Sequence, residues 1–266
     1  MALVQAGDVQ LEYFDEGAGD NVAVLIHGAG SSARIWHTVQ KNLAEAGIRS
    51  VAVGTRGAGG SDHTENDDDY HPSNYANDLA AAVNELGLPP FTLVGHSLGT
   101  LVAAYYVRDN HDHVRGLVQV AGPDPDRKPV EGAAMPQRAR AGYGQSQDPE
   151  VLERWRSQHV GLPDDVRDQL RRDIDNNPPE RARGQRAPWP GLEAVAPNLD
   201  LPTMVVLGDA DDVVAPAEPL AYYLSLPVEV RHLHVFHGVG HYPPAHVPAR
   251  LAGVMQRFIE EHVTVG

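Results

Sequence analysis

The chain has 266 residues, 42% of them hydrophobic, and a formal net charge of −15. That length and hydrophobic content fit one large domain, or one domain with an insertion, and exclude a disordered chain. The charge argues against nucleic acid or an anionic membrane as a partner. The absence of cysteine excludes disulfides, thiolate metal sites and a cysteine nucleophile. No apolar run approaches the length needed to span a bilayer. The N-terminus Met-Ala-Leu-Val-Gln-Ala-Gly-Asp carries neither a basic segment nor an apolar stretch typical of a signal peptide. The expected location is the cytoplasm, with no membrane partner, and oligomeric state is not readable.

Two short β-like runs, 3–6 and 9–14, are separated by Gly7-Asp8 and read as a hairpin. Asn21 to Ile26 is a continuous β-branched apolar run, the pattern of a parallel strand buried on both faces. It ends in His27-Gly28-Ala29-Gly30. A helix is expected from Ala33 to Ala46, with Ile35, Val39 and Leu43 on one face. Ser50 to Gly54 reads as the next strand, followed by a Gly-rich loop around Arg56 and the acidic run 65–69. Ser73 to Leu86 reads as a helix with Tyr75, Leu79 and Val83 on one face. Then come a strand from Phe91, a turn at Ser97, a helix to Arg108 and a strand at Leu117 to Ala121. This alternation predicts a mostly parallel β-sheet flanked by helices.

The rhythm breaks at Gly122-Pro123. Residues 123–190 contain no convincing strand but allow two helices, 149–159 and 164–175, the latter with Val166, Leu170 and Ile174 at helical spacing. They read as a helical insertion in a core formed by 1–122 and 191–266. Alternation resumes with a strand at 203–207, a helix at 216–226, a strand at 228–236 and a closing helix at 247–263.

The turn Gly95-His96-Ser97-Leu98-Gly99 has the pattern G-x-S-x-G. A serine at a sharp strand-to-helix turn is forced into a strained conformation that projects its hydroxyl clear of both elements. Glycine two positions to either side removes the side chains that so close an approach would not admit. The helix start offers unpaired N–H groups and a favourable dipole for negative charge. In parallel α/β sheets, ligands bind beyond the carboxyl ends of the strands. There this chain carries His27-Gly28-Ala29, the Arg56 loop, Ser97, Asp124, the run Asp209-Ala210-Asp211-Asp212, and His237 and His241. Serine, acid and histidine thus come from different loops, in the order Ser, Asp, His.

These motifs, with Arg56-Gly-Ala-Gly-Gly-Ser-Asp62 and Gly240-His241-Tyr242-Pro243, resemble the α/β-hydrolase superfamily in its small, capped, esterase-like branch. The resemblance covers nearly the whole chain outside the insertion. It implies Ser97 as nucleophile and His241 as general base, with His237 as a rival. It implies Asp211 as the orienting acid, with Asp209, Asp212, Asp124 and Asp126 as alternatives, and the backbone N–H groups of Ala29 and Leu98 as the oxyanion hole. His27 is expected to brace its loop. No cofactor or metal is implied. A calcium site in the acidic run lacks ligand spacing, and a solvated loop is the expected reading.

The expected activity is hydrolysis of a small-molecule carboxylic ester or lactone through an acyl-enzyme. Carbon–carbon bond hydrolysis of a diketone or dienoic ring-cleavage product, and a receptor that retains the triad, stay open. Serine at 97 argues against epoxide hydrolases and haloalkane dehalogenases, relatives that use aspartate there. Trp155, Trp189, Tyr143 and Met135 are read either as pocket lining or as the insertion's own small core, with the core preferred for each.

Overall fold

A computed structural model of the chain describes residues 2–125, 161–185 and 187–263. The eight strands are β1 (Ala2–Ala6), β2 (Val9–Glu16), β3 (Val22–Ile26), β4 (Arg49–Val53), β5 (Phe91–His96), β6 (Val114–Val120), β7 (Thr203–Gly208) and β8 (Arg231–Phe236). They form one sheet in the order β1-β2-β4-β3-β5-β6-β7-β8. β2 runs antiparallel to β1 and β4, and every other neighbouring pair is parallel. The sheet is thus mostly parallel, with the hairpin at one edge, as the alternation of elements predicts.

Both faces of the central strands β3 and β7 are covered, which is why they read as near-continuous apolar runs. In β3, Val22, Val24 and Ile26 enter one apolar cluster, whereas Ala23 and Leu25 enter the other. The first cluster is closed by α2 (Pro72–Glu85) and α3 (Leu98–Asn110), through Tyr75, Leu79, Val83 and Leu101. The second is closed by α1 (His37–Glu45) and α8 (Pro248–His262), through Val39, Leu43, Leu251, Met255 and Phe258.

Departures from the sequence reading are local. Residues Ala33–Trp36, expected as α-helix, form a 3-10 turn that leads into α1. β8 starts at Arg231 rather than 228. Between β6 and β7 lies α4 (Asp164–Asp175), with Val166, Leu170 and Ile174 buried as their spacing predicts. The short helix α5 (Pro179–Gly184) was not expected, because one apolar residue in six positions leaves no periodicity to read. Its local signals are a proline in the first turn beside Glu180, and Arg181 and Arg183 in the last turn. Two more helices, α6 (Ala217–Ser225) and α7 (Pro243–His246), follow β7 and β8 respectively. The helix expected at 149–159, together with Trp155, Tyr143, Met135 and Asp126, lies outside the described residues. Trp189 is half-buried and packs on the main α2–α3 cluster rather than in a small core of the insertion's own.

Candidate active site

β5 ends at His96 and α3 begins at Leu98, which leaves Ser97 alone to turn the chain. Its backbone is at φ 53°, ψ −120°, a left-handed conformation that costs a non-glycine residue of order 1–3 kcal/mol. The turn is tight enough that a Cβ at Gly95 would stand 2.3 Å from the Gly99 carbonyl oxygen. A Cβ at Gly99 would stand 2.5 Å from the Ile26 carbonyl oxygen, so this second glycine serves the approach of α3 to β3 rather than to its own strand. Because the obstacles are backbone atoms, Gly95→Ala is expected to destabilise the fold by about 3 kcal/mol or more. Gly253→Ala on α8, where a Cβ meets nothing within 4 Å, should be neutral or stabilising by up to about 1 kcal/mol. Urea unfolding of the two variants checks the contrast.

Three side chains meet at this turn. His241 Nε2 lies 2.9 Å from Ser97 Oγ, and His241 Nδ1 lies 2.8 Å from Asp211 Oδ2. The side chains of His241 and Asp211 are each 3% exposed. Asp211 sits beyond β7, and its Oδ1 accepts the backbone N–H groups of Val213 and Val214 at 2.8 and 2.9 Å. Burial alone would raise its carboxyl pKa. The hydrogen bond and charge of His241, with the two N–H groups, outweigh that effect and hold it below the usual carboxylate range. Asp211 therefore stays ionised opposite the imidazole. His96 is fully buried, and its Nε2–H donates to the His241 carbonyl at 2.8 Å, which fixes the backbone of the histidine loop.

Of the alternatives for the base and the acid, His237 and Asp209 pair with each other. The side chain of His237 is 97% exposed and pairs with Asp209 at 2.6 Å, and Asp209 also accepts the Gly238 N–H at 2.7 Å. That pair ties the end of β7 to the end of β8 at the surface. Among the described residues, Asp211 is the carboxylate bonded to His241. In the acidic run Asp67 pairs with Arg183 and Asn66 caps the 3-10 turn Asp67–Tyr70, and the flanking His71 caps α2.

The loop after β3 runs against Ser97: a Cβ at Gly28 would stand 2.9 Å from Ser97 Cβ. Ala29 follows, and Leu98 supplies the first N–H of α3, a donor with no partner inside the helix. His27 braces this loop. Its Nδ1–H donates to the Gly28 carbonyl at 2.8 Å, and its Nε2 accepts the Thr55 N–H at 3.1 Å. Burial, and next the charge of Arg181, push its pKa from 6.5 down to about 3, so the folded protein holds it neutral. The unfolded chain takes up this proton below about pH 6.5. The contribution is therefore complete above that pH and lost as pH falls toward 3, at up to about 1.4 kcal/mol per pH unit. His27→Asn should flatten this part of the stability profile, measured by urea unfolding between pH 4 and 7.

The chain matches the family model described as "alpha/beta hydrolase fold" over residues 21–244. Among curated proteins it is 27% identical over 118 residues to Epoxide hydrolase 3 of Siraitia grosvenorii, covering 44% of this chain and 37% of that protein. It is 31% identical over 118 residues to the 2-hydroxy-6-oxononadienedioate/2-hydroxy-6-oxononatrienedioate hydrolase of Burkholderia vietnamiensis, covering 43% and 41%. The aligned segments thus span less than half the length of either relative. Among solved structures, an esterase from Exiguobacterium antarcticum is similar with a TM-score of 0.82 at 20% identity, covering 98% of this chain and 99% of that one. At that identity the likeness is one of fold. The family match extends from just before β3 to the start of α7 and so takes in the serine turn, the Asp211 loop and the His241 loop. The chain belongs to the α/β-hydrolase fold family.

Proposed function

We propose that this chain is a serine hydrolase that cleaves a small-molecule carboxylic ester or lactone through an acyl-enzyme. The observation that carries the reading is the hydrogen-bonded series Asp211–His241–Ser97, at 2.8 and 2.9 Å, on a strained strand-to-helix turn. A serine hydroxyl is a weak nucleophile at neutral pH and needs an adjacent base. His241 Nε2 takes the Ser97 proton as Oγ adds to the substrate carbonyl. Asp211 keeps the other imidazole proton on Nδ1 and stabilises the imidazolium. The N–H groups of Ala29 and Leu98 receive the developing oxyanion. The imidazolium then protonates the leaving alkoxide, and a water activated by His241 releases the acyl group. Residues 123–190 act as a cap that carries substrate specificity over a core of 1–122 and 191–266.

The esterase of similar fold supports this reading. The similarity to Epoxide hydrolase 3 does not carry that activity here, since position 97 is a serine rather than a carboxylate. Carbon–carbon bond hydrolysis is the second reading, favoured by the similarity to the Burkholderia dienedioate hydrolase, since such cleavage can use the same three side chains. A fluorophosphonate probe should label Ser97 with 1:1 stoichiometry. A panel of p-nitrophenyl esters, lactones and vinylogous diketones, scored by kcat/KM, should place esters or lactones first. Diketones ranking first would move the assignment to the second reading. Labelling without turnover on any substrate would indicate a binding role.

A further inference from the structure

Two buried polar side chains between β6 and β7 reach out of their own helices and land on consecutive residues of the loop after β3. Arg181, on α5, is 2% exposed, and its Nη2 donates to the Ser31 carbonyl and to Thr55 Oγ1, each at 3.3 Å. Its Nη1 donates to Asn177 Oδ1, and its buried Nε has no hydrogen-bond partner among the described residues. Among the described residues the acceptors are an amide, a carbonyl and hydroxyls, that of Tyr75 included, and not a carboxylate. Asp173, on α4, is 7% exposed and accepts from Ser32 Oγ at 2.7 Å. It also accepts from Gln169 at 2.8 Å and lies 3.5 Å from Arg34. Arg34 is in turn paired with the buried Glu12 of β2.

What these contacts hold is a turn. The Ser31 N–H bonds back to the Gly28 carbonyl at 3.3 Å, with Ala29 and Gly30 between them and Gly30 at φ 65°. Arg181 therefore grips the carbonyl of the residue whose N–H closes the turn carrying Ala29. Asp173 grips the next side chain. Burying an arginine without a carboxylate is costly, and apolar packing would anchor a helix at least as well. The guanidinium makes sense where it satisfies a specific backbone carbonyl. That its charge helps push His27 toward the neutral form shows that its field reaches this loop.

We propose that Arg181, seconded by Asp173, is a positioning residue that sets the Ala29 N–H against the oxyanion of the transition state. The oxyanion hole is then completed only when α4 and α5 are seated on that loop through these two side chains. This rests on the reading of Ser97 as nucleophile. Substrate binding should be little affected, because the donor matters most when the carbonyl oxygen becomes an oxyanion. A misplacement approaching 1 Å at such a donor costs on the order of 100-fold in rate.

The test uses the full chain with p-nitrophenyl butyrate, at a temperature well below each variant's Tm. Wild-type protein is first titrated with the fluorophosphonate. Failure to label Ser97 would overturn the nucleophile reading and this inference with it. With labelling established, Arg181→Met should lower kcat about 100-fold with KM within about threefold. Inhibition by a trifluoromethyl ketone, which forms a tetrahedral adduct, should weaken by a similar factor. Arg181→Lys should recover part of both losses, since an ammonium keeps the charge and one donor. Asp173→Asn should shift both in the same direction by a smaller factor, about tenfold. If Arg181→Met does not fold, the lysine and Asp173 variants carry the same readouts. Variants that fold with a lowered Tm but unchanged kcat and unchanged ketone affinity would make these residues purely structural and overturn the proposal. A rise in KM without loss of kcat would do the same.

Discussion

Ser97→Ala is expected to lower kcat for p-nitrophenyl butyrate by about 10⁵–10⁶-fold, the scale on which removal of a serine nucleophile acts. The residual rate would come from binding and the oxyanion donors, which the substitution leaves in place. Stability separates loss of chemistry from loss of fold. Alanine at 97 must still adopt φ 53°, so Ser97→Ala should unfold within about 0.5 kcal/mol of the wild type. Ser97→Gly should be equally inactive. It should gain on the order of 1 kcal/mol, because glycine takes this conformation without steric cost, offset by a more flexible unfolded chain. A stable, inactive glycine variant would show that the strain at this turn is held by the surrounding structure for the sake of the hydroxyl. Retained turnover in Ser97→Ala would remove Ser97 from the mechanism.

Asp211→Asn should lower kcat by about 10⁴-fold with little change in KM. The reason lies in how the carboxylate is held. Oδ1 accepts two backbone N–H groups, from Val213 and Val214, so the amide oxygen of an asparagine must occupy that position. The amide nitrogen is then turned toward His241 Nδ1, which becomes an acceptor. The imidazole proton is driven to Nε2, where it faces Ser97 Oγ and cannot take the serine proton. A steeply pH-dependent residual rate that rises toward high pH would accompany the loss. Asp209→Asn removes the surface pair with His237 and should leave kcat within about threefold. Initial-rate kinetics on both variants decide between the two carboxylates, and the reverse ranking would reassign the orienting acid.

Much of this molecule is legible in one dimension. β3 and β7 are apolar on consecutive positions because two layers of helices cover them, and α4 shows its buried face at helical spacing. The serine turn is legible because its geometry admits glycine alone at 95 and 99. Other features leave no local trace. α5 has a single apolar residue, and its one deeply buried side chain is an arginine, which by composition reads as solvent-facing. The 3-10 turn at Ala33–Trp36 differs from α-helix only in how its first hydrogen bonds close.

By itself, then, the sequence determined the order of strands and helices, and which loops bring serine, acid and histidine to one edge of the sheet. Those follow from periodicity and turn chemistry, which act over a few residues. The resemblance pointed to Asp211 and His241, and tertiary structure carries the pairing itself. Asp209 and Asp211 are two residues apart in one loop. One ties off the ends of β7 and β8 with an exposed His237, and the other is buried against His241. The side chain that meets each carboxylate comes from a different strand, about thirty residues further along the chain. Which pair is buried depends on how the loop after β8 turns inward over β5, a matter of packing between strands rather than of any local pattern.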